Sequence, residues 1–319
     1  MCNIEGITDE PYYLPVQRKG DYRFKCLNTI TGESMILKEH IDADEEKDID
    51  IQWNAYEQIV SDQAGVKPQR ILGDTFTVDL GGIKFEMIRI EGGEIEIGAT
   101  KEQEMDAERN EFPPYNVTIP TFYIGKFPVT QNIWEFVMGY NKSRFKYKEN
   151  AIGFDLGTSC DLGHYPVENL TYDEAQEFVR RLSEMTNINF DIPTEVEWEY
   201  VARGGQKSKH FRFAGSDNIN DVAWYRENSE GCTHPVGEKQ PNELGVYDMC
   251  GNVWEWTKTP AHSYATDIVS EGDVFIRRGG SWWHEKKNCR VSYRYASNRA
   301  KRTSGLGLRV VMRENGSDA

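Results

Sequence analysis

No stretch of this 319-residue sequence is apolar for long enough to cross a bilayer, because its longest apolar runs are only a handful of residues. The first residues contain neither a basic region nor an apolar stretch, so the sequence predicts no secretory signal and a cytoplasmic location. The six cysteines include no CxxC pair, which predicts reduced thiols and no structural zinc site.

Basic residues are scarce relative to acidic ones, and the net charge is −15. We therefore expect no binding to nucleic acid or to an anionic membrane, whose phosphates would be repelled. The charge is uneven, since residues 276–311 carry ten Lys or Arg and one Glu, a net charge of +9. Two interpretations of this basic stretch stay open. Its arginines pair with acidic neighbours inside the fold, or they form a basic surface for an anionic ligand.

Residues 1–75 are predicted to form a small α+β module, separate from the rest of the chain. Residues 21–40 predict two strands around a Thr31-Gly32 turn, and residues 44–62 predict a helix. This order weakly resembles a fragment of the small lobe of a protein kinase. A kinase also needs a glycine-rich loop and HRD and DFG segments, which the sequence lacks. The segment is therefore predicted to be an adaptor that docks on the main domain or on a partner.

The rest of the chain predicts a compact α+β domain with two helices, little sheet and much irregular loop. Residues 85–98 alternate apolar and polar side chains around a glycine pair, which is typical of a hairpin, and residues 116–125 predict another strand. Thr130 is expected to cap a short helix, and a Thr-x-x-Glu capping box predicts a helix over 171–185.

Two patterns in this domain concern packing. Trp254 and Trp256 lie two residues apart in an extended segment and would anchor irregular loops from one face. Glu195, Glu197 and Glu199 are expected on a short helix or turn, where some of them would meet arginines of the basic stretch.

Short motifs follow one another in a distinctive order over residues 80–312. They are Gly92-Gly93…Gly98, Lys126-Phe-Pro-Val-Thr130, Tyr165-Pro-Val-Glu-Asn169, Ile192-Pro-Thr-Glu-Val-Glu-Trp-Glu-Tyr200, Ala202-Arg-Gly-Gly205, Asn242-Glu-Leu-Gly-Val-Tyr-Asp248, Gly251-Asn-Val-Trp-Glu-Trp256, Arg278-Gly-Gly-Ser-Trp282 and Gly307-Leu-Arg309. In this order they resemble the formylglycine-generating enzyme (sulfatase-modifying factor) family, whose fold is a variant of the C-type lectin fold. Residues 313–319 are then a tail. The resemblance is specific for the fold and weakly specific for activity, because the fold hosts several functions.

The resemblance implies a structural calcium site in the loop over residues 248–255. Its ligands would be the side chains of Asp248 and Glu255 and the backbone carbonyls of Gly251 and Val253. Hard oxygen ligands from a tight loop suit calcium. The alternative is that Asp248 caps a turn and Glu255 pairs with an arginine.

The oxidase members of the family bind Cu(I) with two cysteines five residues apart and oxidise a substrate cysteine. Cys289 occupies the second of these positions here, but His284 occupies the first. Because Cu(I) prefers thiolates, we predict no copper site and expect Cys289 to be a small buried residue. In the alternative, a copper-dependent oxidase, Cys289 and His284 would be the catalytic residues.

The function predicted from the sequence is non-catalytic binding of a protein or other macromolecule through loops 281–306. The resemblance includes variable proteins of diversity-generating retroelements, in which AAC codons mutate to other NNC codons. Tyr, Ser, Ala, Thr, His and Asn are reachable in this way, and such residues also suit an adaptable binding surface. The predicted ligand-binding residues are Trp283, His284, Tyr293, Tyr295, Ala296, Ser297, Asn298, Ala300, Thr303 and Ser304. A scaffold that recruits a partner through residues 1–75 is a further alternative, and the sequence predicts no oligomeric state.

Overall fold

The computed structural model describes residues 74–145, 164–265 and 273–313, together with three strands near the N terminus. Those strands form one sheet and are β1 (Asn3–Ile4), β2 (Gly20–Leu27) and β3 (Ser34–Ile41). Because β2 and β3 pair antiparallel, the two strands predicted over 21–40 are confirmed. The turn between them and the helix predicted over 44–62 lie outside the described residues.

The chain divides into two compact units, Met1–Ala64 with Met138–Tyr140 and Gly65–Val137 with Asn141–Ala319. The boundary near residue 75 stays a prediction. Within the described residues, no helix is long and apolar enough to cross a membrane.

The larger unit contains four α-helices and thirteen strands among the described residues. The helices are α1 (Gln131–Met138), α2 (Tyr172–Thr186), α3 (Glu195–Ala202) and α4 (Ile219–Val222). The strands are β4 (Thr75–Asp79), β5 (Lys84–Ile90), β6 (Gly93–Ile97), β7 (Tyr115–Ile119), β8 (Phe122–Gly125), β9 (Phe190–Asp191), β10 (Ala223–Trp224), β11 (Cys250–Gly251), β12 (Trp254–Pro260), β13 (Val274–Arg278), β14 (Arg294–Asn298), β15 (Leu306–Gly307) and β16 (Val311–Arg313). The α+β class is therefore confirmed, with two more helices than the sequence predicted.

Two sheets form the frame of the larger unit. A five-stranded sheet has the order β4-β5-β8-β16-β9, and a four-stranded sheet has the order β14-β13-β12-β15. In the second sheet, β13 pairs antiparallel with both β12 and β14, and β15 pairs parallel with β12. The C-terminal strands thus complete both sheets.

The hairpin predicted over residues 85–98 is wrong, because its two strands belong to different sheets. β5 pairs with β4 and β8, whereas β6 pairs with β7. The glycine pair allows a close approach instead of a tight turn: a Cβ on Gly92 would lie 2.4 Å from the carbonyl oxygen of Ile119. The single strand predicted over 116–125 breaks at the same place, so β7 and β8 change sheets opposite the point where β5 and β6 do.

Capping boxes begin two of the helices. Thr171 and Glu174 cap α2, as the sequence predicted, and Thr194 and Glu197 repeat the arrangement at α3. The buried residues of α2 include Ala175, Phe178, Val179 and Leu182, which the helical spacing also predicted. The helix at Thr130 is confirmed as α1, and its Trp134 ring stacks on Phe178 with centroids 5.1 Å apart.

Trp254 and Trp256 of β12 are both buried, at 1% and 0% exposure, as expected for side chains that anchor loops. The Trp256 indole lies edge-on to Tyr172 at the start of α2, and its Nε1 donates to the Leu170 carbonyl at 3.4 Å. Trp254 is the first residue of the strand and lies where the same face of the sheet meets loops 281–306. This end of the sheet carries the candidate site.

Candidate functional site

Two neighbouring arginines of β13 point to opposite faces of the four-stranded sheet, because side chains alternate along a strand. Arg278 meets the carboxylates of α3 and has no exposed surface. Arg277 lies among the aromatic rings of the other face and is 6% exposed. The two environments differ in whether the positive charge has a partner.

The face toward α3 holds a buried network of paired charges. Arg278 contacts both Glu195 and Glu199, with its Nε 3.0 Å from Glu195 Oε1. Arg294 donates its Nε–H to Glu195 at 2.8 Å, and Arg203 donates to Glu199 at 2.8 Å. The carboxylates keep the Arg278 pKa above its ordinary value although burial opposes the charge. The expectation that these glutamates meet arginines of the basic stretch is confirmed.

Glu255 belongs to the same network. Its carboxylate accepts two hydrogen bonds from Arg309, from Nε at 3.0 Å and from Nη2 at 2.8 Å, and one from the Trp198 indole at 2.7 Å. All three side chains are fully buried. Both oxygens of Glu255 are therefore used within the fold.

On the opposite face, Arg277 lies between two aromatic rings. Its guanidinium carbon is 4.8 Å from the centroid of Trp254 and 4.7 Å from that of Tyr295. Its Nε is buried with no hydrogen-bond partner, and no carboxylate among the described residues pairs with it. Burial accordingly lowers the pKa of Arg277 to about 10.

His284 completes this group, because its ring lies edge-on to Trp254 with centroids 5.1 Å apart. Its Nδ1 accepts from the Trp254 indole at 3.1 Å and lies 2.7 Å from the Ser281 hydroxyl. Burial first, and then the charge of Arg277, lower the pKa of His284 to about 4. We call Arg277, Trp254, His284 and Tyr295 the Arg277 cluster.

The loop that carries His284 is fixed by hydrogen bonds at Trp282. The Trp282 indole donates to the Ser304 carbonyl at 2.6 Å, and its backbone N–H donates to Asn252 at 2.9 Å. The next residue, Trp283, is 49% exposed and lies 4.4 Å from the His284 ring. Tyr295, on β14, is 47% exposed. Two large apolar side chains therefore reach solvent beside the Arg277 cluster.

The residues predicted to bind a ligand divide into three groups by exposure. Exposed residues are Trp283, Tyr295, Ala296, Asn298 and Ala300, and partly exposed residues are His284, Thr303 and Ser304. Tyr293 and Ser297 are buried, at 5% and 7% exposure, so the expectation that they face solvent is wrong. The Tyr293 ring packs against Trp254 and beneath the Arg290 guanidinium, inside the domain.

The Cys289 thiol is fully buried, and burial holds its pKa well above the ordinary value. It packs so close to Gly280 that a Cβ on that glycine would lie 2.6 Å from the sulfur. A raised pKa favours the neutral thiol, whereas a metal ligand is a thiolate. His284, for its part, already accepts a hydrogen bond from Trp254. The absence of a copper site stays a prediction from the sequence.

The predicted calcium ligands do not fit the ion as a set. The Glu255 carboxylate is taken by Arg309 and Trp198, and a cation beside Arg309 would meet a fixed positive charge. Asp248 fits better, because its Oδ1 is buried without a partner while Oδ2 accepts from Gly237. Burial raises the pKa of Asp248 to about 6. The calcium site stays a prediction from the sequence; because Glu255 is engaged by Arg309, we expect the complete site not to form, although Asp248 could take part.

Sequence reasoning missed Arg277, the residue at the centre of the site. A signal was present, since two consecutive arginines in a strand must project to opposite faces. The α3 carboxylates can reach only one face of that strand. What the sequence did not indicate was that Arg277 meets aromatic rings on the other face and pairs with no carboxylate among the described residues.

Comparison with known proteins places this geometry in a family context. Residues 83–314 match the family model described as the sulfatase-modifying factor enzyme 1-like domain. Among curated proteins, the chain is 31% identical to the chaperone protein LppX of Paenibacillus barcinonensis, over 79% of this chain and 96% of that protein. It is 27% identical to the serine/threonine-protein kinase Pkn1 of Chlamydia trachomatis serovar L2 over 71% of this chain, but spans only 38% of that kinase.

Among solved structures, Treponema denticola variable protein 1 is similar over its entire length. The match covers 76% of this chain with a TM-score of 0.67 and 26% identity. The fold that the motifs implied is therefore confirmed, and a variable protein is among its structural relatives.

Proposed function

Because the chain belongs to the sulfatase-modifying factor enzyme 1-like family, whose fold serves several functions, we propose its function from the site: it is a non-catalytic binding protein. The binding surface consists of Trp283, Tyr295 and the exposed residues Ala296, Asn298 and Ala300, around the Arg277 cluster. The observation that carries the proposal is the exposure of Trp283 and Tyr295. They are two of the four exposed large hydrophobic side chains among the described residues. Exposed aromatic rings on a fixed frame are typical of binding surfaces.

A protein is the proposed class of ligand. This chain matches 96% of the length of LppX, which is named a chaperone protein, and a chaperone binds other proteins. The likeness to a variable protein supports a surface built for recognition. The oxidase alternative, by contrast, would need an accessible thiolate, and the Cys289 thiol is buried with a raised pKa.

A display experiment tests the proposal. Random peptides on phage are selected against the purified protein and then measured against the double variant Trp283→Ala/Tyr295→Ala. We expect the selected peptides to lose at least tenfold in affinity for the double variant. Met105→Ala is the matched control, because Met105 is 87% exposed and does not belong to the Arg277 cluster. Equal binding to the wild type and the double variant would place the binding surface elsewhere.

Diversification by a retroelement is a finer proposal about the same surface. The exposed positions Tyr295, Ala296, Asn298 and Ala300 all carry residues that NNC codons can encode. At the two buried positions, Tyr293 and Ser297, packing would restrict which diversified residues the fold tolerates. Sequencing the neighbouring DNA tests this version, which needs a reverse transcriptase and a near-copy of the 3′ coding segment.

The oxidase alternative has a direct test of its own. The protein is incubated with copper, a reductant and a Cys-x-Pro-x-Arg peptide, and the peptide is analysed by mass spectrometry. We expect no formylglycine, because His284 stands where a second thiolate is needed and Cys289 is buried. Turnover that Cys289→Ser abolishes would overturn the binding proposal. Recruitment of a partner through residues 1–75 stays a prediction from the sequence.

A further inference from the structure

Most arginines of the basic stretch 276–311 have a carboxylate partner. The paired ones are Arg278, Arg290, Arg294, Arg299, Arg302 and Arg309. Of the two interpretations of the stretch, internal pairing therefore accounts for nearly all of its arginines. Arg277 is the exception within the described part of the chain. Its side chain forms neither an ion pair nor a hydrogen bond with the described residues, although only 6% of its surface is exposed.

An unpaired buried guanidinium is costly to a fold, because it loses hydration without gaining a counter-charge. The two neighbouring rings offset part of this cost, because their electron-rich faces attract the cation, and more strongly where water is excluded. They do so without using the N–H donors of the fork. The guanidinium is thus held in place between Trp254 and Tyr295, with its hydrogen-bonding capacity unused.

Resting on the binding surface proposed above, we propose that Arg277 is the anchor for a ligand carboxylate supplied by an acidic peptide segment. Trp283 and Tyr295 would contact the apolar part of the acidic side chain. A carboxylate matches the planar guanidinium fork with two parallel hydrogen bonds. Lys286 and Lys287 are exposed just after His284 and outnumber Glu285, which contacts Lys287 and Arg226, so the local charge is positive and complements an acidic segment.

An acidic peptide fits this site better than a phosphate-rich ligand does. A nucleic acid strand carries a phosphate at every nucleotide, so most of its charges would find no partner at a site with a single unpaired guanidinium. The site offers one oriented guanidinium flanked by rings, which suits a single carboxylate on an apolar stem. The ion pair would form in a largely desolvated place, where a charge-assisted hydrogen bond is stronger than in water.

The probe for the test is a terminally blocked tetraglutamate peptide, with blocked tetraglutamine as its uncharged isostere and inorganic phosphate at equal ionic strength. Binding is followed by NMR at the indole N–H signals and the His284 ring. Because the charge of Arg277 helps to keep the pKa of His284 low, a carboxylate bound to Arg277 should raise that pKa. Binding of the peptide elsewhere on the protein would leave the His284 titration unchanged.

Three variants separate the possible outcomes. We expect Arg277→Gln to weaken tetraglutamate binding at least tenfold, and Arg277→Lys to weaken it less, because the charge remains while the fork is lost. Lys301→Gln is the matched control: it removes one exposed positive charge of the same stretch and should change binding less than twofold.

Equal binding of tetraglutamate by Arg277→Gln and the wild type would overturn the carboxylate anchor, as would binding of phosphate alone. If the anchor fails in this way but the phage-selected peptides still bind Trp283→Ala/Tyr295→Ala more weakly than the wild type, the proposed binding surface stands. Conversely, if tetraglutamate binding is weakened by Arg277→Gln but not by Trp283→Ala/Tyr295→Ala, the carboxylate anchor stands and the aromatic binding surface is rejected.

Discussion

Arg277 and Arg278 are adjacent on one strand, yet they lie in opposite electrostatic environments. Arg278 contacts Glu195 and Glu199, and its pKa is raised, whereas Arg277 packs on aromatic rings with no carboxylate partner among the described residues, and its pKa is lowered to about 10. The arginine on one face of the sheet is thus paired with carboxylates within the fold, and the arginine on the other face is not. The difference separates residues that maintain the structure from residues that remain available to a ligand. Three predictions test this separation, and two more concern Asp248.

The largest effect is expected on the paired face. Arg278→Met leaves the buried Glu199 with one cation instead of two, and it also removes a contact of Glu195. Breaking a buried ion pair from one side costs about 3–5 kcal/mol. Urea unfolding should show this loss in the free energy of unfolding. A loss below about 1 kcal/mol would mean that the network is not what holds α3 to the sheet.

Tyr293 and Tyr295 form a matched pair for the second prediction, since they are two residues apart on either side of Arg294. Tyr293→Ala removes a ring that is 5% exposed and should cost about 3 kcal/mol or more. Tyr295→Ala removes a half-exposed ring and one cation–π contact, so about 1 kcal/mol is expected. Thermal unfolding of both variants measures the difference, and equal losses would refute the assignment of Tyr295 to the surface.

Arg277→Met should change stability little, in contrast to the same substitution at Arg278. The variant loses two cation–π contacts, each worth about 2 kcal/mol when desolvated, but it also removes a buried unpaired charge of comparable cost. The two contributions oppose each other, so we expect a change within about 1 kcal/mol in urea unfolding. A loss as large as that of Arg278→Met would show that Arg277 has a partner inside the fold.

The smallest effect is expected from calcium. A ligand that binds only the folded state adds about 2.7 kcal/mol at 100 times its Kd, so a working site would raise the melting temperature measurably. Because Glu255 is engaged by Arg309, we expect no difference between calcium and a chelator. A calcium-dependent shift that Asp248→Asn abolishes would restore the site predicted from the sequence.

The stability of Asp248→Asn as a function of pH tests the protonation of Asp248 independently of calcium. Asp248 has a pKa near 6 in the folded state, above its ordinary value of 3.8. A raised pKa stabilises the fold at low pH, and this contribution is lost as the pH rises through about 6. The stability of the asparagine variant relative to the wild type should therefore increase between pH 4 and 7.

Local patterns predicted what depends on neighbours in the sequence. The capping box at Thr171 and the burial of Trp254 and Trp256 follow from spacing alone, and the structure has them. The order of motifs gave the fold. The hairpin over 85–98 was wrong, because pairing across Gly92 is decided by a backbone contact with Ile119, far along the chain.

The site was predicted only in part, for a similar reason. Residue type placed Trp283 and Tyr295 on the surface correctly, but it could not distinguish Tyr295 from the buried Tyr293. Strand alternation makes that distinction only once the strand and its register are known, and β14 begins at Arg294. The proposed role of Arg277 depends on the lack of a carboxylate partner among the described residues, and no local sequence pattern predicts such a lack.

The ion pairs of the larger unit also determine when folding can finish. Glu111 and Arg290 are 179 positions apart, and Glu195 and Arg294 are 99 apart. During synthesis the carboxylates leave the ribosome long before their arginines, so they stay hydrated and the core around them stays open. Such distant contacts also slow folding, because much chain must be ordered before they form. Protease resistance of ribosome-bound chains should therefore rise only after the last basic strand emerges, and the domain folds at the end of its translation rather than along the way.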